Sequence, residues 1–306
     1  MITEKTLASS EAESYLPKQS IVISKIQDYV QFVKLRLTLL VVFSAVAGFS
    51  IATSGAIDWN KLVLLIIGGF LVTGSSNGFN QIIEKDLDKL MKRTANRPLP
   101  DNRMSVNEAF IAASLMGISG VSLLTFFLNP LSGMLGALAL LLYTFVYTPL
   151  KRVTPFAVFV GAFPGAIPPL LGWVAVTNSI GIEALVLYCI QFIWQFPHFW
   201  AIAWVMDEDY KKAGFRMLPS SGGRNKASAF QTIVYAAGLI PIGLLPFYFH
   251  MAGIISAVII SICGILFTMQ AINLYRTCSL KAAQQLMFGS FIYLPIVQIA
   301  LIADKI

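Results

Sequence analysis

Nine apolar runs dominate this chain. They lie at roughly 37–55, 62–83, 109–128, 131–149, 155–175, 182–205, 230–247, 252–272 and 286–303. Runs of about 17–25 apolar residues are long enough to cross a bilayer as helices, so the sequence predicts an all-α, polytopic membrane protein. Gly161, Pro164, Pro168 and Pro169 interrupt the fifth run, which a membrane helix tolerates better than a soluble one. The links at 128–131 and 247–252 are short enough for tight hairpins. Only 12% of residues are charged, against about a quarter in soluble domains, which argues against an ordinary soluble fold or a disordered chain. Cys189, Cys263 and Cys278 show no metal-ligand spacing and read as packing residues.

Charge placement orients the spans. Lys and Arg number 22 against 15 Asp and Glu, a net charge of +7. If the spans alternate, only Lys61 and Lys305 fall on the side opposite the N-terminal segment. The positive-inside bias then predicts a cytoplasmic N-terminus and a C-terminus on the opposite side. Residues 1–20 carry Glu4, Glu11 and Glu13 and no Arg, unlike a mitochondrial presequence, so a bacterial inner membrane is expected. The expected organisation is a cytoplasmic segment, 1–34, followed by one intramembrane domain, 35–306.

Six of the acidic residues sit in two groups. Glu84, Asp86 and Asp88 end the second run, and Asp207, Glu208 and Asp209 end the sixth. Residues four apart are separated by about 40° on a helix, so Asn80, Glu84 and Asp88 form one oxygen-rich stripe. Asp86 lies about 200° from Glu84 and should face elsewhere. Two carboxylates and an amide suit a hard divalent cation such as Mg²⁺, which takes one or two carboxylates together with substrate phosphates. The neighbouring Lys and Arg residues would add phosphate contacts. A solvated helix end is the plainer explanation for either group alone.

These residues carry a resemblance. Asn80-x-x-x-Glu84-x-x-x-Asp88, followed by Lys92-Arg93-Thr94-x-Asn96-Arg97-Pro98-Leu99, resembles the first signature of the UbiA-type intramembrane prenyltransferases. The usual signature has Asp where this chain has Glu84. Tyr147-Thr148-Pro149-Leu150-Lys151-Arg152 is similar to the loop after that family's fourth helix. Trp194-Gln195-Phe196-Pro197-His198-Phe199-Trp200, with Asp209-Tyr210-x-x-Ala213-Gly214-x-x-Met217-Leu218-Pro219, resembles the haem-modifying branch. Quinone-precursor prenyltransferases carry a more Asp-rich segment there.

The resemblance implies transfer of a farnesyl group from farnesyl diphosphate to a vinyl group of haem B, with addition of water, giving haem O and diphosphate. Haem B is then a substrate and Mg²⁺ the cofactor. Haem A synthase or a terminal-oxidase assembly would be downstream partners. The expected metal residues are Asn80, Glu84, Asp88 and Asp209, with Asp207 a weaker candidate. The expected diphosphate residues are Arg93, Arg97, Lys151 and Arg152. Lys92 stays open, and Lys211, Lys212, Arg224 and Lys226 read as topogenic. His198 would ligate the haem iron or orient the porphyrin. His198 and Asp209, eleven residues apart, would share a face on a continuous helix. Tyr147 stands out among Tyr143, Phe163, Phe196 and Trp200 as an aromatic face for an allylic cation. The competing readings are a prenyltransferase for an aromatic quinone precursor such as 4-hydroxybenzoate, a transporter and a membrane scaffold. A transporter should carry midplane charges and internal repeats, and neither is evident.

Overall fold

A computed structural model describes residues 18–220 and 222–306. The acidic residues Glu4, Glu11 and Glu13 lie outside the described residues. Among the described residues there are nine helices long and apolar enough to cross a membrane. These spans, numbered 1 to 9 in chain order, are Leu35–Ala52, Trp59–Ile83, Val106–Leu128, Pro130–Leu150, Ala157–Thr177, Ile182–Val205, Lys226–Tyr248, Ile254–Thr277 and Leu280–Ala303. The only β pairing among the described residues is an isolated bridge between Ala252 and Lys305. The fold is all-α and multi-pass, as expected.

Several spans begin earlier than their apolar runs. Span 9 starts at Leu280, where Ser279 accepts a hydrogen bond from the Ala282 N–H. Span 7 starts at Lys226, where Asn225 accepts from the Ser228 N–H. Hydropathy marks the apolar core of a helix, whereas its end is set by a capping side chain in the polar interface, worth about 1 kcal/mol. Both short links form hairpins. Asn129 caps the Ser132 N–H at 2.8 Å, and the Met251 N–H donates to Pro246 O at 2.8 Å.

Span 5 is the most buried of the nine and packs against spans 1, 4 and 6. Small residues allow this approach. A Cβ on Gly48 would strike the Pro169 carbonyl, and one on Gly172 would strike the backbone of Ala45 and Phe49. Close backbone contact through glycine is a main source of helix association in lipid, where burial of apolar surface gives no drive. Span 6 continues the array through spans 5, 7 and 9, and span 9 returns to span 1. Large apolar side chains such as Phe126, Ile118 and Leu115 cover the outside, facing where lipid would lie. None of the three cysteines is in a disulfide, and Cys189 is exposed on the outer surface rather than packed inside.

The two ends of the bundle differ. One end carries the loops after spans 2, 4, 6 and 8 and the helix Lys18–Phe32, and is termed the charged end. Arg103, in the loop after span 2, joins Asp28 of that helix at 2.5 Å.

Candidate active site at the charged end

Glu84 marks the end of span 2. Its backbone, at φ −95° and ψ 7°, leaves the helical region before a short helix, Lys85–Asp88. The hydrogen bonds Glu84 N–H to Asn80 O and Asp88 N–H to Glu84 O persist across this joint. Asn80, Glu84 and Asp88 therefore keep the expected stripe, and all three are buried. Asp86 turns outward, 87% exposed, and pairs with Lys89.

Each member of the stripe holds a cation from a different element. Lys34 Nζ donates to Asn80 Oδ1 at 2.9 Å. Lys151 Nζ lies 2.5 Å from Glu84 Oε1. Arg97 Nη1 donates to Asp88 Oδ2 at 2.7 Å. Asp88 Oδ1 is buried and has no hydrogen-bond partner.

Local structure explains how each cation arrives. The chain breaks between the helix Lys18–Phe32 and span 1, leaving carbonyls without helical partners. Gln81 donates to Phe32 O at 2.6 Å and Asn77 to Val33 O at 3.2 Å. Thr38 also donates to Val33 O, at 2.6 Å. This clamp holds Lys34 in the left-handed region, φ 50°, a conformation costing about 1–2 kcal/mol for such a residue. Burial, and the nearby charges of Arg97 and Lys151, lower the Lys34 pKa well below its ordinary value.

Lys151 follows span 4, whose last turns widen into a π-helix over Leu142–Tyr147, a feature frequent at functional sites. Tyr143 and Tyr147 lie in it, their rings 5.2 Å apart. Tyr147 packs against the Cα of Gly161, where a Cβ would strike its ring. Lys151 Nζ stands 5.0 Å from the centroid of Tyr147 and 5.4 Å from that of Phe215. Burial lowers the Lys151 pKa, but Glu84 outweighs it and the net shift is upward. Thr148 accepts from Asn80 Nδ2 at 3.3 Å, which joins spans 2 and 4 directly.

The segment after span 6 closes over Lys151. Gly214 takes a left-handed conformation, φ 71°, that ends the helix Asp207–Lys212. The Phe215 N–H then donates to Tyr210 O, and the Arg216 N–H to Lys151 O at 3.1 Å. This turn accounts for the Ala213-Gly214 pair in the sequence match.

The second acidic group divides. Asp207 is buried, 2.8 Å from Lys211 and 3.5 Å from Arg224. Glu208 is exposed and pairs with Arg224. Arg224 also donates to Trp204 O, tying off the end of span 6. Asp207 and Glu208 thus form a helix-end staple. Asp209 pairs with Lys212 at 3.2 Å. That hydrogen bond, with the Arg93 and Lys92 backbone N–H groups, holds the Asp209 carboxyl below its usual range. Asp209 therefore faces the loop after span 2. Arg93 and Arg152 are exposed, while Lys151 is buried and Arg97 is mostly so.

His198 and Asp209 do not share a continuous helix. The chain leaves helical geometry at Met206, φ −95° and ψ 10°, so the angular extrapolation from 198 to 209 fails. His198 faces span 9, where Nδ1 lies 2.7 Å from Ser290 Oγ. Trp194 stacks on its ring at 4.3 Å and donates to Ser290 O. Ser290 gives its only hydroxyl hydrogen to Met287 O at 2.6 Å. With that hydrogen on Met287 O, Ser290 Oγ accepts from His198 Nδ1–H, the tautomer that leaves the Nε2 lone pair available. Phe196 joins Phe159, Phe192, Tyr235 and Trp200 in a continuous aromatic wall, with Phe163 at its edge against Phe159 and Phe192.

The profile of the UbiA prenyltransferase family matches residues 41–294. The chain belongs to the UbiA prenyltransferase family. It is 53% identical over 283 residues to protoheme IX farnesyltransferase of Cytophaga hutchinsonii, covering 92% of this chain and 99% of that protein. It is 47% identical over 287 residues to the Flavobacterium psychrophilum protein of the same name, covering 91% and 94%. A UbiA homologue from Archaeoglobus fulgidus bound to DMAPP and Mg²⁺ shares the fold, with TM-score 0.70 at 15% identity over 90% of this chain and 99% of that one. A digeranylgeranylglyceryl phosphate synthase structure matches with TM-score 0.76 at 21% identity, covering 92% and 98%.

Within this UbiA-family site, Lys34 is the residue that sequence reading missed. It precedes an apolar run, where a lysine ordinarily reads as a topogenic charge. Its role in the cluster depends on Asn77 and Gln81, two span 2 amides with no visible sequence link to it.

Proposed function

We propose that the chain transfers a farnesyl group from farnesyl diphosphate to a vinyl group of haem B, with addition of water, giving haem O and diphosphate. The observation that carries the diphosphate half is the stripe of Asn80, Glu84 and Asp88, buried and matched by Lys34, Lys151 and Arg97. Two carboxylates and an amide oxygen, with one Asp88 oxygen unpartnered, fit a hard cation that keeps phosphate ligands. Asn80, Glu84 and Asp88 would hold one Mg²⁺, and Asp209, on the opposite loop, would serve a second metal position. When bound, Mg²⁺ supplies neutralisation of the charge that develops on the departing diphosphate.

Lys34, Lys151 and Arg97 bind phosphate oxygens and stabilise the leaving group. Arg93 and Arg152 attract the anion from the surface. As the bond from C1 of the farnesyl group to oxygen breaks, Tyr147, with Tyr143, offers a π face to the allylic cation. The terminal vinyl carbon forms the new bond to C1. Water adds to the cation left beside the porphyrin ring and releases a proton. His198, fixed by Ser290 and Trp194, presents Nε2 to the haem iron. The identity to protoheme IX farnesyltransferases supports the choice of acceptor.

Residues 35–306 act as one intramembrane domain in a bacterial inner membrane. The N-terminus and the charged end face the cytoplasm and the C-terminus faces the other side. The haem product passes to haem A synthase or to terminal-oxidase assembly. Expressing the chain in a bacterium that lacks its own haem farnesylation, and extracting membrane haems, tests the reading. Haem O should accumulate with the chain and be absent with an Asp88→Ala variant; haem B alone in both would contradict it.

A further inference from the structure

Three cations at the charged end each occupy one prospective metal ligand. Lys34 is on Asn80, Lys151 on Glu84 and Arg97 on Asp88. They come from three separate elements: the break before span 1, the turn after span 4 and the loop after span 2. The pairing is one to one. All three ligands and Lys151 are buried, so solvent screens the cluster weakly.

Two carboxylates facing three basic groups leave no negative charge to attract another cation. A divalent ion arriving alone must displace the basic groups and then sit beside them. A diphosphate arriving alone meets the cations, but it also lies against two buried carboxylates. Each ligand is opposed by the groups that would favour the other. When both are present the charges sort: the metal takes the carboxylates and amide, and the basic groups turn to phosphate oxygens. Asp88 Oδ1 is a buried ligand atom with no hydrogen-bond partner.

We infer that Lys34, Lys151 and Arg97 act as place-holders on the metal ligands, so that divalent metal and diphosphate bind with strong mutual dependence. This rests on the diphosphate-site reading above and adds to it a rule for binding. Because coupling between two ligands is reciprocal, metal should raise diphosphate affinity by the same factor that diphosphate raises metal affinity.

The test uses full-length protein in detergent, with Mn²⁺ as the metal probe and inorganic pyrophosphate as the diphosphate probe. Protein-bound Mn²⁺ is read by electron paramagnetic resonance, and pyrophosphate binding by calorimetry. Saturating pyrophosphate should tighten protein-bound Mn²⁺ by at least about tenfold, within the usual range for coupled sites. Lys151→Met should tighten Mn²⁺ binding in the absence of pyrophosphate and reduce the coupling. Arg97→Gln, at a less buried position, should shift both quantities the same way and serves if Lys151→Met does not fold. Equal Mn²⁺ affinity with and without pyrophosphate would overturn the inference while leaving the site reading intact. Weaker or unchanged Mn²⁺ binding by both variants without pyrophosphate would do the same. No binding of either probe by the wild-type protein would overturn the site reading itself.

Discussion

Lys151 Nζ and Glu84 Oε1 lie 2.5 Å apart, joining the turn after span 4 to the end of span 2. Both side chains are buried, so removing one strands the other. Breaking a buried pair this way typically costs about 3–5 kcal/mol, whereas replacing both partners is often near neutral. Glu84→Ala should therefore lower the thermal unfolding midpoint in detergent sharply. Glu84→Ala with Lys151→Met should recover most of that stability without recovering prenyl transfer. A double variant as unstable as the single one would contradict the pairing.

Asp88 should matter more to chemistry than to folding, because one of its oxygens makes no hydrogen bond in the fold. Asp88→Asn keeps an acceptor for Arg97 but removes the charge. We expect turnover to fall by about 10²–10³-fold, the scale for losing one stabilising group at a developing charge. Circular dichroism should stay unchanged. Wild-type turnover in this variant would remove Asp88 from the metal set.

Lys34 predicts a pH effect of definite sign. Its pKa in the folded protein lies well below the ordinary value near 10.4. Between those two values the unfolded chain holds more protons than the folded one, so Lys34 by itself adds stability as pH rises. A phosphate beside it restores the proton. Pyrophosphate binding at a pH between the lowered and the ordinary value should thus return a proton to Lys34, an uptake measured by calorimetry in buffers of different ionisation enthalpy. Lys34→Met should abolish that uptake, and persistence of the full uptake would contradict the assignment.

Sequence reading reached the nine spans because each apolar run is long and well separated, and it reached the stripe because four-residue spacing survives the joint at Glu84. It failed where the backbone changes direction. The link from His198 to Asp209 assumed a helix that ends at Met206. The fate of Asp207 depended on Arg224, which approaches from the far side of a loop. Lys34 was hidden for the same reason, since its place is set by a backbone break and two distant amides. Spacing carries information along one helix, and these contacts lie between elements.

Ser290 predicts how His198 is held. Ser290→Ala removes the acceptor that fixes Nδ1–H, and loss of such support commonly costs about 10–100-fold at a metal-ligating histidine. Haem B use should fall by that amount while farnesyl diphosphate affinity stays constant. His198→Ala should lose haem B use and retain farnesyl diphosphate binding. Equal loss of both substrates in either variant would argue for a packing role.

Gly172 sets the contact between spans 1 and 5. Gly172→Ala places a methyl group against the Ala45 and Phe49 backbone, which cannot move as a side chain can. Destabilisation of about 1–3 kcal/mol is expected for such overpacking, seen as a lower unfolding temperature. An unchanged temperature would mean the spans separate without cost.

The most direct measurement is the mass of the product formed by purified protein in detergent from haem B, farnesyl diphosphate and Mg²⁺. A haem bearing one added farnesyl group and one added hydroxyl is expected, formed only when all three are present. Unmodified haem B, together with farnesylation of 4-hydroxybenzoate offered in its place, would contradict it.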